Sequence, residues 1–294
     1  MIKFIVLWVF EVLWFLSDLV IKPRMLPYEK GFQREVNCKK FDLQTYNNRI
    51  KQNFRIKSDY GYTLYCELIE NEKKENKKIA ILCHGFGCAR YGCIKYADIF
   101  LKQGFHVLMY DHRNHGLSGK AHTSMGFYEK YDLVNVVDWC CNHYGEDYKI
   151  ITYGESMGAA TVLLHLGIDN RVKCTIADCS YSDMKALLYH QMKQYYHLPC
   201  FLIHIANYFI YFRAGFWLRK VSPIDVVSQT DIPVLFIHGK RDNFVPTYMS
   251  KKMYDAKKKN KAIYLVAKAK HAESYCMNRE EYEKRVEDFL KKFL

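Results

Sequence analysis

From residue 54 onward, short apolar runs alternate with segments of helical periodicity, and this constrains the fold more than any other feature. Runs at 78–83, 106–110, 149–153, 172–178, 234–238 and 262–267 read as strands. Segments 93–103, 128–142, 157–167 and 278–294 read as helices. Ahead of them, 54–57 and 62–70 form a hairpin around Ser58-Asp59-Tyr60-Gly61. Strands that are apolar throughout must be covered on both faces. The alternation therefore predicts an α/β fold with a mostly parallel sheet between two helical layers.

One segment breaks the alternation. Residues 181–221 are too long for a single crossover helix and rich in aromatics, among them Tyr181, Tyr189, Tyr196, Tyr208 and Trp217. They read as a helical cap that roofs a binding site over the main domain.

Gly154-Glu155-Ser156-Met157-Gly158 lies between the strand at 149–153 and the helix at 157–167. A G-x-S-x-G turn in that context lifts the serine hydroxyl above the end of the sheet. A serine hydroxyl is a weak nucleophile unless a base, itself held by an acid, takes its proton. Both follow in chain order: Asp242 after the strand at 234–238, and His271 beyond the strand at 262–267. The reading is Ser156 as nucleophile, His271 as base and then acid, and Asp242 as the group that orients the ring. Asp178, ending its own strand, is the reserve acid. The oxyanion of such a reaction needs two backbone N–H donors. Met157 supplies one, and Phe86, in His84-Gly85-Phe86-Gly87, the other. His115 and Asp111 read as groups that hold their own loop together.

The charge balance, 44 − 31 = +13, favours an anionic partner. The basic residues are scattered except in 257–261, a solvated helix end, and no nucleic-acid motif accompanies them; a membrane surface accounts for the charge better. The 11 cysteines include no CxxC pair, and several sit in apolar runs, so they read as reduced structural thiols in a cytosol-facing compartment. No dinucleotide fingerprint and no metal-ligand cluster is visible, so no cofactor is implied.

Residues 1–21 are apolar apart from Lys3, Glu11, Ser17 and Asp18. The length suits an uncleaved membrane anchor, a helix lying in the interface, or a helix docked on the domain. Trp8 and Trp14 fit either an interfacial or a buried position, and Lys3, Lys22, Arg24 and Lys30 weakly favour a cytoplasmic main domain. Residues 22–53 read as a linker followed by a short helix, leaving one domain at 54–294.

His84-Gly85-Phe86, the stretch DHRNHGLS at 111–118, Gly154 to Gly158, and Arg241-Asp242 with Pro246 together resemble the α/β-hydrolase superfamily. Within it they are similar to bacterial serine hydrolases related to monoacylglycerol lipases, cinnamoyl-type esterases and serine aminopeptidases. The resemblance spans 54–294 and implies a Ser-His-Asp hydrolase that takes an acyl ester as a small-molecule substrate, as a carboxylesterase or lipase-like enzyme does. A thioesterase, peptidase or acyltransferase would use the same triad. A tethered scaffold without turnover would normally lack one triad member, and none is missing here.

Overall fold

The computed structural model describes residues 2–71 and 77–294; the side chains of residues 2, 3 and 5–9, including Lys3 and Trp8, lie outside that set. The chain opens with three helices, α1 (Ile2–Ile21), α2 (Tyr28–Asn37) and α3 (Leu43–Asn48). The hairpin β1 (Lys51–Lys57) and β2 (Thr63–Ile69) follows, then β3 (Lys78–Cys83), α4 (Ile94–Leu101) and β4 (His106–Tyr110). Next come α5 (Glu129–Tyr144), β5 (Lys149–Glu155), α6 (Met157–His165) and β6 (Val172–Asp178). An insertion carries α7 (Met184–Gln191), α8 (Leu202–Ala214) and α9 (Pro223–Val227). The chain closes through β7 (Val234–Gly239), α10 (Tyr248–Ala256), β8 (Lys261–Val266), α11 (Ser274–Met277) and α12 (Arg279–Phe293).

The strands form one eight-stranded sheet in the order β1-β2-β4-β3-β5-β6-β7-β8. β2 runs antiparallel to β1 and β4, and the remaining pairings are parallel. Alternate residues of each central strand serve opposite cores, as the pleat requires. Leu82, Met109 and Tyr153 pack toward α4 and α12, while Ile81, Leu108 and Phe236 pack toward α5 and α6. The chain leaves β3 toward β4 on one side and returns through β5 on the other. The loops after β3 and β5 therefore open onto a shared crevice at the carboxyl ends of the strands, where such sheets bind ligands.

Residues 22–53, read as a linker followed by a short helix, hold two helices, α2 and α3, and Tyr28, Phe32, Phe41 and Tyr46 pack against the core. A short run with scattered aromatics shows too little periodicity to announce such a docked pair. Helix α10 ends at Ala256, directly ahead of the lysine run read as a helix end.

The N-terminal segment is a helix docked on the cap. Leu13, Leu16, Val20 and Ile21 are buried in one cluster with Ile203, Ala206 and Ile210 of α8. Burial of side chains this size is worth about 1.5–3 kcal/mol each. Arg213 fastens the pair from α8: its guanidinium donates to the Trp14 carbonyl at 3.2 Å and pairs with Asp18. It also lies 3.7 Å from the centre of the Trp14 ring. Among the described residues, no helix is long and apolar enough to cross a membrane. Glu11 and Asp18 interrupt the apolar run, and its inner face is spent on α8.

All eleven cysteines are free thiols, six of them buried, in keeping with a structural role for most.

Candidate active site

Ser156 sits on the turn between β5 and α6 with φ 57° and ψ −114°, a conformation that costs a non-glycine residue of order 1–3 kcal/mol. The surrounding lattice holds it there. The Ser156 N–H donates to the Asp178 carbonyl at 2.8 Å, and its carbonyl accepts from Ala160 at 3.0 Å. The turn is so tight that a Cβ on Gly154 would stand 2.3 Å from the Gly158 carbonyl carbon.

The three sequence-predicted polar groups converge. The Ser156 hydroxyl lies 2.9 Å from His271 Nε2, and His271 Nδ1 lies 2.7 Å from Asp242 Oδ2. The ring thus accepts from the serine on one edge while donating to the carboxylate on the other. Asp242 follows β7 and His271 follows β8, so adjacent parallel strands deliver both. The other Asp242 oxygen accepts the N–H groups of Phe244 and Val245, each at 2.9 Å. Burial alone would raise the Asp242 pKa, but hydrogen bonds from His238 and His271 outweigh it and hold the carboxyl at about 2. The ring of Phe244 packs against His271, centroid to centroid at 5.0 Å.

Asp178, the reserve acid, is elsewhere. It is buried opposite Glu155 in the β5–β6 pairing and accepts from the Tyr282 hydroxyl at 2.9 Å. Burial, with the Glu155 charge beside it, pushes its pKa up to about 6.

The loop after β3 faces the serine: a Cβ on Gly85 would lie 3.4 Å from Ser156 Cβ. This follows from the sheet, because Cys83 pairs with Gly154 across β3 and β5. Phe86 lines the same cavity as Ser156. Two histidines brace this loop. His84 bonds the Gly85 carbonyl through Nδ1 at 2.8 Å and accepts the His112 N–H at 2.9 Å. His115 bonds the Arg113 carbonyl at 2.8 Å and accepts the Gly87 N–H at 3.3 Å. Each ring can serve both partners only when neutral, and burial lowers the pKa of each to about 4. Asp111 ties its loop as the sequence suggested, accepting the N–H groups of Arg90 at 2.7 Å and Leu117 at 2.9 Å.

Sequence reasoning missed three supports. His238 lies 3.2 Å from Asp242 Oδ2 and bonds Ser250 and the Val245 carbonyl. Glu155, the unconstrained position of the motif, is buried and pairs with Lys95 at 2.7 Å. The third is α1: Phe15, Leu16, Leu19 and Val20 line the cavity that opens on Ser156, facing Met184, Leu187 and Ile203 of the cap. That cavity measures about 780 Å³, and its lining is predominantly apolar.

Sγ of Cys179 with one ligand atom each of Asp242 and His271 form a trio within 4.8 Å of one another. They suit a metal poorly. Asp242 and His271 already bond each other, and burial pushes the Cys179 thiol far above its ordinary pKa, whereas a metal-binding cysteine must be a thiolate.

The fold and the converging side chains agree with what this chain is similar to. A family model described as alpha/beta hydrolase fold matches residues 80–199. The uncharacterized protein YqkD of Bacillus subtilis is 38% identical over 251 residues, covering 84% of this chain and 82% of the relative. Among solved structures, the Pyrococcus furiosus esterase Pf2001 superposes with a TM-score of 0.71 at 24% identity, covering 93% of this chain and 98% of that one. Est1E of Butyrivibrio proteoclasticus, solved with ferulic acid bound, superposes with a TM-score of 0.65 at 18% identity, covering 82% and 98%. With a parallel sheet in this strand order, a serine on the strand–helix turn after β5, and a relative of this identity matched over most of its length, the chain belongs to the alpha/beta-hydrolase fold family.

Proposed function

We propose that this protein is a serine hydrolase that cleaves an acyl ester, as a carboxylesterase or lipase-like enzyme does. The observation that carries the reading is the single imidazole of His271, bonded to Ser156 at 2.9 Å and to Asp242 at 2.7 Å. The Ser156 oxygen attacks the acyl carbonyl as its proton passes to His271 Nε2. The N–H groups of Phe86 and Met157 receive the oxyanion, and Asp242 stabilises the imidazolium. Collapse breaks the ester C–O bond, and the alcohol leaves with the proton from His271. Water, deprotonated by the same ring, then cleaves the acyl-enzyme and frees the acid. The apolar cavity favours an acyl chain over a peptide, and the esterases that share the fold support the ester class.

The test is a series of p-nitrophenyl esters from acetate to palmitate, on wild type and Ser156→Ala. The reading expects serine-dependent turnover with an optimum beyond the shortest chains. Equal rates for the two proteins would overturn it.

We also propose that the protein works against an anionic membrane surface with its catalytic domain on the cytoplasmic side. Phe4 and Trp14 of α1 and Tyr208 and Phe212 of α8 are exposed, and Phe212 is 90% accessible. Aromatic side chains on adjacent helices suit a headgroup layer, and the net charge of +13 suits anionic lipid. Flotation with phosphatidylglycerol vesicles should recover the wild type and lose Phe212→Glu; equal recovery would overturn this part.

A further inference from the structure

The wall of the cavity that opens on Ser156 is not uniform. Its inner surface is apolar, formed by α1, α7 and α8, and suits a hydrocarbon chain. Its charged lining is confined to one stretch, Asp18, Lys22 and Arg24, where α1 ends and the chain turns toward α2. Lys22 and Arg24 are exposed, so they stand at the opening.

These charges do not cancel within the wall. Asp18, the one acidic residue on the lining, is already held by Arg213 from α8 and by Lys22 at 3.3 Å. Among the described residues, Arg24 makes no hydrogen bond or ion pair. Its position is tied to the reaction centre: the Arg24 carbonyl oxygen would lie 3.3 Å from a Cβ on Gly87, next to Phe86. The Arg24 backbone is thus fixed beside the loop after β3, and the residue lines the same cavity as Ser156 and Phe86.

We propose that the substrate is an amphiphile: an ester of a fatty acyl chain with an alcohol that carries phosphate, which Arg24 reads. This rests on the serine-hydrolase reading and names its substrate class. A guanidinium binds phosphate bidentately through charge-assisted hydrogen bonds. The hydrolysis is that written above, with the phosphate-bearing alcohol leaving protonated and its phosphate intact.

The experiment compares 1-lauroylglycerol 3-phosphate with 1-lauroylglycerol, both below their critical micelle concentrations. Wild type should favour the phosphate ester in kcat/KM by about tenfold, the scale of one hydrogen bond to a charged group. Arg24→Gln should bring the ratio near one, chiefly by raising KM for the phosphate ester. Lys258→Gln, in the lysine run before β8 at the other end of the sheet, should leave both rates as they are. Equal wild-type rates on the two esters would overturn the proposal and leave the hydrolase reading standing. A preference that Arg24→Gln retains would overturn it as well. Absence of Ser156-dependent turnover on both esters would overturn the two together.

Discussion

A Cβ placed on Gly158 would stand 2.1 Å from the carbonyl oxygen of Cys83, far inside hard contact. Gly158 is in the first turn of α6, and Cys83 ends β3, the strand that leads into the oxyanion loop. The distance between Ser156 and the loop after β3 is therefore governed by the absence of one methyl group. Gly158→Ala must push α6 and β3 apart. It should lower kcat by at least about a hundredfold, on the scale of a lost oxyanion donor, and destabilise the fold by about 1–3 kcal/mol. Ester kinetics together with urea denaturation check both effects.

Lys95 and Glu155 are a buried ion pair directly behind the nucleophile, 2.7 Å apart. Burial opposes the Glu155 charge, but Lys95 overcomes it and holds the pKa below its ordinary value. Lys95→Met leaves that carboxylate buried and unpaired and should cost about 3–5 kcal/mol. The double variant Lys95→Met/Glu155→Gln should regain part of the loss, which the shift in urea midpoint measures.

The histidines beneath the oxyanion loop make stability depend on pH. His84 and His115 have folded pKa values of about 4, and His112 is also pushed down by burial, against an ordinary 6.5. A lowered folded pKa means stability that is complete above pH 6.5 and is lost as pH falls toward 4. Asp178 acts oppositely, its contribution fading as pH rises from 3.8 to about 6. Three histidines outweigh one aspartate, so Tm should fall from pH 6.5 to pH 4. A His115→Gln variant should show a shallower fall in thermal scans across that range.

Asp242→Asn keeps an acceptor for the Phe244 and Val245 N–H groups but cannot hold the His271 tautomer. It should lower kcat on the order of 10⁴-fold with little change in KM. Circular dichroism should show the fold retained. A near-normal rate would move the acid elsewhere.

Phe15, Leu16, Leu19 and Val20 form a wall of the cavity, so removing residues 1–21 should do more than detach a tail. Truncation exposes Ile203, Ala206 and Ile210 of α8. Turnover of long-chain esters should fall more than turnover of p-nitrophenyl acetate. Leu16→Ala, a milder change, should cost about 2–5 kcal/mol. Unaltered stability and chain-length profile in both variants would contradict the docking.

The central sheet, the serine turn and the placing of Asp242 and His271 just beyond strand ends were legible in the sequence because each is local: an apolar run, then a short motif at its end. What was not legible depends on long-range partners. The face that α1 buries is hidden by its nearly uniform apolarity, and the arginine that fastens it, Arg213, is 195 residues from Asp18. Lys95 reads as a solvated lysine until the fold brings Glu155, 60 residues away, against it. His238 ends a buried strand, where one histidine among twelve carries no signal until Asp242 is placed beside it.

The central claim is that Ser156 is an activated nucleophile, and covalent labelling tests it most directly. Wild type, Ser156→Ala and His271→Ala would each be treated with a fluorophosphonate and mapped by peptide mass spectrometry. The account predicts one adduct, on the peptide containing Ser156, in the wild type, none in Ser156→Ala, and labelling slowed by orders of magnitude in His271→Ala. A folded wild type that resists the reagent, or an adduct on another residue, would contradict it.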